Sequence, residues 1–131
     1  MIKLGSFFPE ALNLNGDQGN LLALKKYLEA AGFQVAVESI GAANSYDELH
    51  FALLGHGSMA AVRSLNTAMS AVAFDQLLSK IPGLAVGSGF EYLAGLGLTK
   101  STIEVGERDS VFAVGELGSI AALGYRNTDS G

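Results

Sequence analysis

Cysteine is missing from all 131 residues. Its absence excludes disulfides, thiolate-held zinc or iron–sulfur clusters, and any cysteine nucleophile. Charge is scarce too: Asp, Glu, Lys and Arg make up 16% of the chain, against about 25% in an average soluble domain. The balance is acidic, with a formal net charge of −5, which argues against a general affinity for nucleic acid or an anionic membrane. No window approaches the roughly 18 unbroken apolar residues of a membrane-spanning helix. The N-terminus does not read as a signal peptide, because Pro9, Glu10 and a polar asparagine run cut off the apolar stretch after Lys3. These absences describe a chain expected to be soluble and cytoplasmic.

What is present is a core. Hydrophobic residues reach 49% and aromatics 8%, enough to exclude disorder. The length of 131 residues fits one domain over 1–131, since a single core usually spans roughly 100 to 200 residues. Glycine, at 17 residues, is nearly twice its usual share of about 7%. With so few charges to solvate its surface, the chain is expected to bury part of that surface in a homo-oligomer or hetero-complex.

Short apolar runs alternate with helical patterns. Ile2–Leu4, Gln34–Glu38, Phe51–Leu54 and Leu84–Val86 read as strands buried on both faces. Between the first two, Leu21, Leu24, Leu28 and Ala31 form one stripe of a helix from about Gln18 to Ala31. Asp17 stands at its N-cap position and Gly32 at its C′ position. A second helical region lies within Ser58–Lys80, with Asn66, Thr67 and Ser70 as weak formers that interrupt it, and Met59 and Met69 in its core stripe. A short helix through Phe90–Leu93 follows Gly87–Gly89. This order predicts a parallel sheet with helices on both faces. After Gly97 the strands Ser101–Val105, Val111–Val114 and Ile120–Tyr125 follow without helices, which predicts an antiparallel extension with a charged hairpin turn at Glu104, Glu107, Arg108 and Asp109.

Three turns carry the candidate chemistry. Asn13, Asn15, Gly16, Asp17 and Asn20 follow the first strand and lead into a helix N-terminus, where an α/β sheet binds ligands. The plainer reading is turn chemistry and a cap, for which the same residues are needed. Gly55-His56-Gly57-Ser58 follows a buried strand, and its backbone N–H groups are candidates for half of an oxyanion hole, with His56 as an acid or base. The alternative is a tight turn with a solvent-facing imidazole. Gly87-Ser88-Gly89-Phe90-Glu91 has the strand–turn–helix shape of a nucleophile elbow, but the reactive position falls on Gly87, which has no side chain. Ser88 is one place off, and local sequence supplies it no base. No metal site and no cofactor motif is found.

Taken together, the three turns resemble a known family. Phe8-Pro9-Glu10-Ala11-Leu12-Asn13-Leu14-Asn15-Gly16-Asp17-Gln18-Gly19-Asn20 with the following Leu21–Lys26 is similar to the opening of class I glutamine amidotransferase-like subunits. Leu53–Ser58 resembles their glycine-rich oxyanion turn, Leu84–Leu93 their elbow, and Gly124-Tyr125-Arg126-Asn127 a segment near the end of their sheet. Such subunits partner a Mur-ligase-like protein that amidates lipid II in cell-wall synthesis, and cobyric acid synthase amidotransferase domains are relatives.

The resemblance implies a three-layer, flavodoxin-like fold, mostly parallel, with an antiparallel C-terminal extension and a C-terminal truncation. It also implies what is missing. The family's nucleophilic cysteine falls on Gly87, its elbow glutamine on Glu91, and the chain stops at Gly131 before the family's C-terminal histidine base. The expectation is a pseudoenzyme that binds, regulates or assembles, with Gly55, His56, Gly57, Ser58, Ser88 and Glu91 around a carboxylate or amide ligand, and Asn13, Asn15, Asp17 and Asn20 at a turn or interface. The alternatives are a weak amidase or hydrolase built on Ser88 and His56, or a glutaminase-type component of lipid II or cobyric acid amidation.

Overall fold

The structure, a computed structural model, describes residues 1–41, 48–65, 71–100, 105–117 and 120–130. They fall into two compact units, Met1–Lys100 and Ser101–Gly131.

The first unit is α/β. Strand β1 (Ile2–Phe7), helix α1 (Gln18–Ala30), strands β2 (Val35–Ile40) and β3 (Phe51–Leu54), helices α2 (Met59–Leu65) and α3 (Ala71–Leu78), strand β4 (Gly83–Ala85) and helix α4 (Ser88–Gly95) follow in order. The four strands form one all-parallel sheet in the order β2-β1-β3-β4. This is the flavodoxin-like arrangement, in which the chain first steps to one side of β1 and then crosses to the other.

Alternation along the central strands divides the core in two. Leu4 on β1 and Leu53 on β3 join Leu21 of α1 in one cluster, with Leu24 and Leu28 packed against it. The residues on the opposite face, Phe7, Ala52 and Leu54, pack with Val62 and Leu65 of α2, Phe74 and Leu77 of α3, and Tyr92 and Leu93 of α4. The sheet is therefore a middle layer between α1 and the other helices, because side chains at period two must point to opposite faces. Phe74 anchors the larger cluster, with ring centroids 5.4 Å from Phe7 and 5.8 Å from Tyr92. Tyr92 is buried yet satisfied, donating its hydroxyl to the Leu65 carbonyl at 2.9 Å.

Local chemistry explains the boundaries. α1 is closed off by Gly32, as expected, whose φ of +90° suits glycine and whose N–H returns to the Glu29 carbonyl at 2.9 Å. The long helical region holds α2 and α3; residues 66–70, where the weak formers Asn66, Thr67 and Ser70 fall with Met69, lie outside the described residues. Met59 is not core: as the first residue of α2 it is 40% exposed.

The second unit is an antiparallel pair, β5 (Val105–Leu117) and β6 (Ile120–Ser130). Two predictions change here. Glu107, Arg108 and Asp109 lie within β5 and not at a turn, since pairing runs from Leu117↔Ile120 back to Val105↔Ser130, with an irregularity between Val105 and Asp109. The strands expected at Val111–Val114 and Ile120–Tyr125 are longer than predicted; residues 101–104, which hold most of the expected strand Ser101–Val105 together with Glu104, and residues 118–119 lie outside the described residues.

Candidate functional site

Where β1 and β3 lie side by side and their outgoing chains diverge, the carboxyl ends of the strands form the switch point at which such sheets bind ligands. All three predicted turns gather at this edge: residues 8–17 after β1, 55–58 after β3, and 86–88 after β4. Phe8 opens the first with φ +49°, a conformation that is costly for a bulky residue. Its carbonyl accepts the N–H groups of Ala11 and Leu12, which tightens the loop beneath the β3 turn.

The turns are stitched together by backbone groups. Asp17, 5% exposed, accepts the His56 N–H at 3.0 Å through Oδ2, and the His56 carbonyl accepts the Leu14 N–H at 2.8 Å. Asp17 occupies the N-cap position of α1 but makes no side-chain cap. That task passes to Asn13, whose Oδ1 accepts the Gln18 N–H at 3.0 Å. The prediction of a capping aspartate is therefore corrected: its carboxylate serves the β3 turn. Ser58, in turn, closes the first turn of α2 by accepting the Ala61 N–H at 3.2 Å.

Ser88 and His56 meet, but not as a dyad. The buried Ser88 hydroxyl donates to the Gly57 carbonyl at 2.9 Å and lies 2.8 Å from the Gly57 N–H, whose hydrogen bond it accepts. The His56 ring accepts the backbone N–H of Ser88 at Nδ1, 3.1 Å away. With Nδ1 an acceptor, the proton of the neutral ring resides on Nε2. A serine nucleophile needs its hydroxyl on the base, whereas this hydroxyl is held by Gly57. Serine, histidine and aspartate thus converge in one place, and the Asp17 and His56 side chains both receive main-chain N–H groups.

Gly87 forms the elbow, with φ +51° and ψ −119°. A Cβ built there would overlap His56 Nδ1. The imidazole therefore stands where an elbow side chain would project. Gly55 and Gly57 are needed for a different reason, because a Cβ at either would overlap the carbonyl oxygen of Leu12 or Ala11.

The expected oxyanion cradle is largely occupied from within. The N–H groups of His56, Gly57 and Ser88 are bound by Asp17, Ser88 and His56 respectively, and the Gly89 N–H donates to the Val86 carbonyl at 3.0 Å. Glu91 lies in the first turn of α4, with its own N–H on the Gly87 carbonyl at 3.2 Å. Asn15 and Asn20 are exposed. A cavity of about 230 Å³ runs along β4, lined by Leu54, Leu78, Ile81, Leu84 and Leu93 among others, and none of the residues predicted to hold a ligand lines it. Among the described residues no cluster of three or more His, Asp or Glu could hold a metal ion, and no helix is long and apolar enough to cross a membrane.

What sequence reading missed is the use of Asp17 and Ser88. Their partners lie 39 and 31 residues away, a distance over which local patterning carries no signal. Comparison of the sequence with protein-family models and with curated proteins finds no match.

Proposed function

We propose that the chain is a catalytically inactive amidotransferase-like protein that acts as a binding, regulatory or assembly subunit. The observation that carries this reading is Gly87: the elbow position has no side chain, and the His56 ring fills the space in front of it. Without a nucleophile the covalent route through an acyl-enzyme is closed, and such losses cost orders of magnitude in rate.

Internal use of the turn's donors favours assembly over capture of a small carboxylate or amide. Exposed apolar side chains at the same edge support that choice: Leu14 at 65%, Met59 at 40% and Phe90 at 40% sit on the outgoing segments of β1, β3 and β4. The partner suggested by the family resemblance is a Mur-ligase-like protein, in lipid II or cobyric acid amidation; a second copy of the chain is the alternative.

Two measurements test the reading. Purified chain given glutamine should release no ammonia above a blank, and enzyme-like turnover would overturn inactivity. Light scattering, alone and after co-expression with a Mur-ligase-like protein, should reveal a homo-oligomer or a stable complex. A monomer in both preparations removes the assembly role.

A further inference from the structure

We propose that Asn15 is a site of spontaneous backbone modification, at which loss of its amide loosens the turn that holds Asp17. Asn15-Gly16 is the one Asn-Gly pair in the sequence. Both residues are exposed, Gly16 has φ +74°, and apart from Gly16 and its two chain neighbours no atom lies within 4 Å of where its Cβ would be. The chemistry needs the Gly16 nitrogen to reach Asn15 Cγ, and a following glycine offers the least obstruction to that approach.

In the step itself, the Gly16 nitrogen gives up its proton and bonds to Asn15 Cγ. The bond from Cγ to Nδ2 breaks, and the amide nitrogen leaves with a proton as ammonia. Water then opens the cyclic imide at either carbonyl, leaving aspartate or isoaspartate. No oxidant or further reactant is required. The Gly16 N–H is held by the Asn13 carbonyl at 3.1 Å, a single turn bond at a solvent-exposed tip, so little has to open before attack.

Neighbouring asparagines are protected by the same structure. Asn13 commits its side-chain oxygen to the Gln18 N–H, and the following N–H, of Leu14, donates to His56 at 2.8 Å. Asn20 lies within α1 and is followed by buried Leu21. Selectivity for Asn15 is thus a property of the fold as well as of the dipeptide.

The consequence follows from position. Isoaspartate adds a main-chain methylene between Asn13, which caps α1, and Asp17, which holds His56. The carboxylate of Asp17 is displaced from the His56 N–H, and the seam between the β1 and β3 turns weakens. This inference stands apart from the assembly role, since it concerns the turn alone.

The test ages the full chain in warm, mildly alkaline buffer and follows it by peptide mass mapping with isoaspartyl methyltransferase labelling. Asn15 should convert while Asn13 and Asn20 keep their amides, Asn15→Gln should take no label, and the aged wild-type chain should unfold at lower denaturant than fresh chain. Retention of the Asn15 amide, or equal conversion at Asn13 or Asn20, overturns the site. Conversion with an unchanged unfolding midpoint overturns its effect on the turn.

Discussion

The imidazole of His56 accepts the backbone N–H of Ser88 at 3.1 Å, and a Cβ on Gly87 would collide with the accepting nitrogen. The pair therefore locks the β3 turn to the start of α4 through an atom that an active site would have reserved for proton transfer.

Gly87→Ala tests this lock directly. The new methyl must expel the ring, the Ser88 N–H loses its acceptor, and alanine is forced to the positive φ of the elbow. Strain of this kind costs about 1–3 kcal/mol, measurable as a lower denaturant midpoint. Combining it with His56→Ala removes the collision, so the double variant should be more stable than the sum of the two single effects predicts. Strict additivity would contradict the contact.

Ser88→Ala should destabilise without any catalytic consequence. It strips the buried Gly57 N–H and carbonyl of one shared partner, and an unpaired buried group costs about 1–3 kcal/mol. Chemical denaturation gives the stability change. Ammonia release from glutamine should be the same for variant and wild type, and a drop confined to Ser88→Ala would restore the amidase reading.

At Asp17, asparagine and alanine should differ. Asparagine keeps an acceptor oxygen for the His56 N–H, whereas alanine removes it, and hydrogen bonds to charged groups are worth about 1.5–3 kcal/mol. Asp17→Ala is expected to lower the unfolding midpoint more than Asp17→Asn. In hydrogen exchange, the His56 amide should lose protection in the alanine variant first.

Lys3 supplies a pH-dependent contribution. Its Nζ donates to Glu48 at 3.0 Å and lies 3.7 Å from Glu38, so the Glu48 hydrogen bond and charge, then the Glu38 charge, raise its pKa above the ordinary 10.5. A raised lysine stabilises the fold below its unfolded value and ceases to do so as pH climbs through the folded one. The stability difference between wild type and Lys3→Met should be constant in neutral solution and shrink in strongly alkaline solution. As an exposed pair it is also expected to weaken with salt.

Much of the fold was legible because its signals are local. Phe51–Leu54 is a strand over the predicted residues, and α1 stops one residue short of the predicted Ala31, with Gly32 in the left-handed conformation that its place in the sequence implied. Apolar period and turn residues suffice for such elements. The hairpin was misread for the complementary reason. Glu107, Arg108 and Asp109 have turn-like composition, yet β5 runs through them: Asp109 pairs with Thr128, and Glu107 and Arg108 fall in the irregularity between the paired Val105 and Asp109. Pairing is not written in a local window. The site shows the same division. Its three turns were visible, whereas the commitments of Asp17 to His56 and of Ser88 to Gly57 depend on the strand order, which brings the ends of β1, β3 and β4 together.

The ring parked over Gly87 also constrains what evolution or engineering can do next. A nucleophile introduced at that glycine by one substitution arrives in occupied space, and the chain is penalised before any chemistry is gained. Position 56 has to be vacated first, a change that by itself removes a fastening and offers no reward. A side chain at position 87 is thereby separated from this protein by at least one unfavourable intermediate, which makes the bare elbow self-preserving.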